Sequence, residues 1–263
     1  MRPQPHSQTV SQRSRLPGSL PLVLLPGSAC DGRVFGPLLK ELGDVDAHLA
    51  DMTGATTMPK LARKILSEAP PHFALLGFSL GGIAALEMIA QQPERIERLC
   101  LIDTTPRPDP IANAAVRRAA VARARAEGMQ QFILDAWPNL VSPANFGNQS
   151  LRDVICAMAL DTGPDVLAEQ AEVAIHRADS RPRLGEINVS TLILAGEHEQ
   201  VCPLEAHREM AEGIPGAVLH LISNAGHFAP LENPAAVGGH VRRWLDAAPF
   251  HPIAQQPQAG VFR

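Results

Sequence analysis

The sequence predicts a mostly parallel, doubly wound α/β sheet interrupted by an all-helical insertion. Three observations carry this. Short apolar runs recur along the chain and are continuous rather than alternating, as strands covered on both faces are. Amphipathic helical stretches separate them, so successive strands join by crossovers that are right-handed as a rule. Over residues 107–182 the strand candidates stop and the composition turns helical.

Residues 22–25 are the first buried-strand candidate, closed by Pro26-Gly27. Residues 45–52 form a weaker, more exposed one. Four more follow at 73–76, 99–102, 191–194 and 218–222. Helical patterns lie between them at 34–42, 58–69, 83–92, 203–213 and 234–248. In the last, Val237, Val241, Trp244 and Leu245 share one face. Within the insertion, helices are expected at 111–127, 129–136, 148–160 and 165–178, bracketed by prolines at 106, 108, 110 and 182. The domain reading is therefore a core made of 20–106 and 183–249 with a cap at 107–182. Residues 1–19 and 250–263 read as a disordered and a flexible tail. Ligands in open α/β sheets bind beyond the strand carboxyl ends, so the insertion is expected to roof that edge.

A chain of 263 residues with 45% apolar and 19% charged residues fits a soluble globular protein with a sizeable core. Its formal charge of −4 and the lack of a basic stripe with aromatics argue against a nucleic-acid partner. No apolar stretch is long enough to span a bilayer, and the first twenty residues lack the apolar segment of a secretory signal; a cytoplasmic protein is expected. Cys30, Cys100, Cys156 and Cys202 are scattered without a C-x-x-C pair, and Cys100 reads as a small buried hydrophobe. Arg117, Arg118, Arg123 and Arg125 among alanines read as a solvated helix face rather than a carboxylate site.

Chemistry concentrates around Gly77-Phe78-Ser79-Leu80-Gly81. An apolar run stops there and turns straight into a helix, so the corner residue takes strained backbone angles. Gly77 and Gly81 remove the Cβ atoms that would collide beside it. Ser79 is left above the sheet edge at a helix start, where unpaired N–H groups favour developing negative charge. A serine hydroxyl needs a base. Of ten histidines, His227 follows the last strand directly, in Asn224-Ala225-Gly226-His227-Phe228, at the same carboxyl edge. The base needs an acceptor, and the loop after the run at 191–194 offers Glu197 and Glu199. Asp103, closing the run at 99–102, is a third eligible carboxylate. The Glu197-His198-Glu199 cluster lacks recognisable metal-ligand spacing. For the oxyanion, the donors expected are the amides of Leu80 and of Ser28, the latter in the loop after the first strand.

These motifs resemble the α/β-hydrolase family, in its compact form with a helical cap, over roughly residues 20–249. The elbow matches closely, as does N-A-G-H-F followed by Leu231-Glu232-Asn233-Pro234. The family's acid loop, G-x-x-D-x-x-x-P, fits Gly196 to Pro203 with Glu199 at the acid position. Two departures stand out: Pro26-Gly27 replaces the usual His-Gly, and glutamate replaces aspartate. The segment before Leu22 is too short and polar for the family's opening hairpin, so the sheet is expected to have about six strands.

The resemblance implies a serine hydrolase cleaving a carboxylic ester of a small-molecule substrate through an acyl-enzyme, without metal or organic cofactor. Lactone, thioester, amide and carbon–carbon bond hydrolysis use the same constellation. A serine nucleophile argues against dehalogenase or epoxide hydrolase chemistry. The absence of Tyr and an Ala/Leu-rich cap suggest an apolar pocket. The alternative from another class is a non-catalytic small-molecule binder, against which the intact Ser79, His227 and acid position argue.

Overall fold

In the computed structural model, which describes residues 20–248, the strands are β1 (Leu22–Leu25), β2 (Ala47–Leu49), β3 (Phe73–Phe78), β4 (Ile96–Ile102), β5 (Ser190–Gly196) and β6 (Val218–Ile222). They form one sheet in the order β2-β1-β3-β4-β5-β6. Every pairing is parallel. The expected six strands are all present. The segment expected at 45–52 shrinks to three residues because β2 is an edge strand, paired on one side only and leaving Leu49 54% exposed. The central β3, β4 and β5 run longer than their apolar cores because neighbours pair with them on both sides. The tails expected at 1–19 and 250–263 lie outside the described residues.

The pleat divides each strand between two cores. Leu22, Leu24, Ala74, Leu76 and Leu194 face one, with α1 (Gly36–Leu42) and α9 (Pro234–Asp246). Val23, Leu25, Phe73, Leu75 and Ile193 face the other, with α2 (Met58–Glu68), α3 (Leu80–Gln91) and α7 (Leu204–Gly213). Continuous apolar runs in the sequence are the direct result. Cys100 is fully buried in the first core, as its apolar run predicts.

Between β4 and β5 stand α4 (Asn113–Glu127), α5 (Met129–Leu140) and α6 (Gln149–Ile175), packed chiefly on one another. The helices expected at 148–160 and 165–178 are the two halves of α6, joined at a kink where Gly163 takes φ 76° ahead of Pro164. Proline cannot donate to the preceding turn but starts a new one readily, so the second half begins there. After β6 a short α8 (Ala229–Glu232) precedes α9. Because β1 pairs with both β2 and β3, chain order reverses beside β1, and a crevice opens beyond the carboxyl ends of β1 and β3.

Candidate active site

Of the residues singled out from the sequence, Ser28, Ser79, Leu80 and His227 line that crevice. Ser79 sits between β3 and α3 with φ 53° and ψ −116°, an angle pair non-glycine residues rarely adopt. The elbow is held from outside: Ser79 N–H donates to Ile102 O (3.0 Å), and Thr104 Oγ1 donates to Ser79 O (2.7 Å). Gly81 is required here, since a Cβ on it would stand 2.0 Å from Leu25 O. Helix α3 begins at Leu80, three residues before the helical pattern at 83–92, because its first turn is glycine-rich and carries no periodic signal.

His227 follows β6 and is 5% exposed. Its Nε2 is 3.0 Å from Ser79 Oγ, and its Nδ1 is 2.6 Å from Glu199 Oε2. Phe78 and Phe228 flank the ring, with centroids 5.2 and 5.8 Å away. Glu199 also accepts from the amides of Val201 and Cys202. Burial alone would raise the Glu199 pKa. The charge of His227, its hydrogen bond and the two amides instead hold it below the ordinary carboxylate value.

The other two carboxylates lie apart from the histidine contact. Glu197 accepts from Asn224 N–H at 3.3 Å. Asp103, fully buried with φ 46°, accepts from Gly196 N–H (2.8 Å) and Ala229 N–H (3.4 Å). It thus ties the end of β4 to the loop after β5 and to the turn after His227. Burial, reinforced by the charge of Glu199, raises its pKa well above the usual carboxylate value despite those amides.

The amides of Ser28 and Leu80 both belong to residues lining the cavity beside Ser79, and neither donates a hydrogen bond among the described residues. Next to Ser28, Ala29 takes φ 54° and its N–H donates to Oε1 of Gln170 in α6 at 2.9 Å. Gln170 is 2% exposed, so this contact pins the loop to the insertion. Glu232 makes a second tie, accepting from Gly226 N–H (2.8 Å) and from Ser142 N–H at the end of α5 (2.7 Å). His207, within α7, is completely buried. Its Nε2 accepts from Thr104 N–H at 3.1 Å, and burial pulls its pKa down.

The cavity over Ser79 has a volume of about 240 Å³; the insertion contributes Phe132, Ile133, Leu140 and Leu167 to its wall. It is less apolar than expected, because Arg117 and Arg177 also line it. Arg118 and Arg125 pair outward with Glu172 and Asp165, as a solvated face implies, whereas Arg117 turns inward to Asp109. A larger cleft of about 380 Å³ lies between the end of α3 and the segment Arg181–Glu186, away from Ser79 and His227. No helix among the described residues is long and apolar enough to cross a membrane.

The model described as the alpha/beta hydrolase family matches residues 22–238. A pimeloyl-[acyl-carrier protein] methyl ester esterase from Chromobacterium violaceum is 27% identical over 223 residues, covering 78% of this chain and 86% of that protein. A thermophilic esterase from Thermogutta terrifontis, solved with malate bound, superposes with a TM-score of 0.78 at 28% identity, covering 86% of this chain and 89% of that one. The enol-lactonase from Burkholderia xenovorans LB400 shares the fold, with a TM-score of 0.76 at 23% identity over 87% of this chain and 92% of that one.

Proposed function

Because the chain belongs to the alpha/beta hydrolase family, we propose that it is a serine hydrolase cleaving a carboxylic ester of a small substrate through an acyl-enzyme. The observation that carries this is the continuous line Ser79 Oγ–His227 Nε2–His227 Nδ1–Glu199 Oε2, at 3.0 and 2.6 Å, opening onto the cavity. Ser79 Oγ attacks the ester carbonyl while His227 Nε2 takes its proton, and Glu199 fixes the ring and stabilises the imidazolium. The amides of Ser28 and Leu80 hold the carbonyl oxygen as it becomes an oxyanion. His227 then protonates the leaving alcohol. A water deprotonated by His227 releases the acid and restores Ser79.

The insertion at 107–182 acts as the cap of this site and shapes the acyl pocket through Phe132, Ile133, Leu140 and Leu167. The esterase relatives support ester cleavage as the chemistry. Labelling with a fluorophosphonate probe, with Ser79→Ala as control, tests the nucleophile. No label on folded wild type would favour a binder without turnover. A panel of acyl esters of graded length, with lactones and thioesters alongside, reads the bond cleaved.

A further inference from the structure

The cavity over Ser79 carries a charge that hydrolysis itself does not use. Arg177 lies just beyond α6 with its side chain only 6% exposed, and its Nη1 is 2.9 Å from Asp109 Oδ1. Arg117 forks onto the same carboxylate, Nε to Oδ2 at 2.8 Å and Nη2 to Oδ1 at 3.0 Å. Two guanidinium groups therefore share one carboxylate. Nε and Nη1 of Arg177 also donate to the carbonyls of Arg107 (2.8 Å) and Ala174 (3.1 Å), but its Nη2 has no hydrogen-bond partner among the described residues. No acidic side chain among the described residues lines the cavity. Glu199 is engaged by His227, and Asp103 by backbone amides.

Withdrawing a guanidinium from water is unfavourable unless its charge is matched. Here burial and the charge of Arg117 both pull the Arg177 pKa down, and Asp109 opposes them. The wall is left one positive charge in excess, beside an apolar stretch formed by Phe132, Ile133 and Leu167. A planar, forked donor of this kind matches a carboxylate.

We propose that Arg117 and Arg177 form a carboxylate subsite, so that the preferred substrate is a monoester of a short dicarboxylic acid, cleaved at Ser79 and held by its free carboxylate. The ester half of this statement rests on the serine-hydrolase reading; the anion half does not. Water is the only co-reactant: the ester C–O bond breaks, the alcohol leaves with a proton and a second carboxylate is formed.

The test separates the two halves. Monomethyl esters of succinic through suberic acid are titrated calorimetrically into the Ser79→Ala protein, beside the methyl esters of the matching monoamides, which keep the shape and lose the charge. At the best chain length the acid should bind roughly tenfold tighter or more, as hydrogen bonds to charged groups do. In Arg117→Gln on the same background that ratio should fall toward one. Arg117 is the choice because its side chain is 36% exposed and its loss spares the carbonyl contacts of Arg177. Equal binding of acid and amide at every length overturns the proposal, as does a preference that Arg117→Gln leaves intact. If the acids bind with the expected preference but wild type releases no methanol from them, the hydrolase reading fails and the subsite stands.

Discussion

At the scale of single residues, three carboxylates crowd one sheet edge and their environments give them different work. Glu199 is kept anionic by His227, whereas Asp103 is pushed toward its neutral form between two backbone amides. Ser79→Ala should abolish turnover by about 10⁶-fold with the thermal midpoint nearly unchanged; comparable activity in the variant would put the nucleophile elsewhere. Glu199→Gln should lower kcat by about 10⁴-fold on a good ester. Asp103→Asn should stay within about tenfold of wild type in kcat, because its partners are amides and not the histidine. Its effect belongs to stability. A carboxyl whose pKa rises on folding stabilises fully below its unfolded value, about 3.9, and loses that contribution as pH climbs through the folded value. The stability gap between wild type and Asp103→Asn should therefore be widest in acid and narrow toward neutral pH. Urea unfolding across pH reads this directly, and a gap that grows with pH would contradict the assignment.

At the scale of elements, α6 makes a contact that no local pattern announces. Its Gln170 holds the loop that carries Ser28, across 141 residues of sequence. Gln170→Leu should strand the buried Ala29 amide, destabilise by about 1–3 kcal/mol, and lower kcat roughly tenfold with KM little changed, as a displaced oxyanion donor would. A rise in KM alone would mean the clamp shapes binding instead. The kink of α6 supplies a cleaner measurement. A Cβ on Gly163 would meet nothing within 4 Å, yet its φ is 76°. Gly163→Ala should thus cost about 1 kcal/mol from backbone strain alone, readable in thermal unfolding; a stabilised variant would show the kink relaxing. Ser79, His227 and Glu199 were legible because each stands in a short motif directly after an apolar run. Gln170, Arg177 and the staple made by Asp103 were not, since each acts on a partner remote in sequence and carries no pattern of its own.

For the whole molecule, the sheet was legible because both its faces are covered, which writes continuous apolar runs into the chain; the inward turn of Arg117 was not, because one arginine among four departs from its neighbours only through Asp109. The placement of the helical insertion has a further consequence, for how the chain acquires its structure. β4 and β5 pair along Arg98 to Ile102, yet residues 103–189 separate them. A chain emerging from its amino end can assemble β1, β2, β3 and β4 well before β5 exists, leaving the outer edge of β4 open to any other strand. Parallel pairings of such separation form late and expose the intermediate to aggregation. In refolding followed by pulsed hydrogen exchange, amides shared by β4 and β5 should gain protection after those between β1 and β3, and recovery should fall as protein concentration rises. Simultaneous protection across all six strands, with a yield independent of concentration, would show that the insertion folds first and delivers β5 to its place.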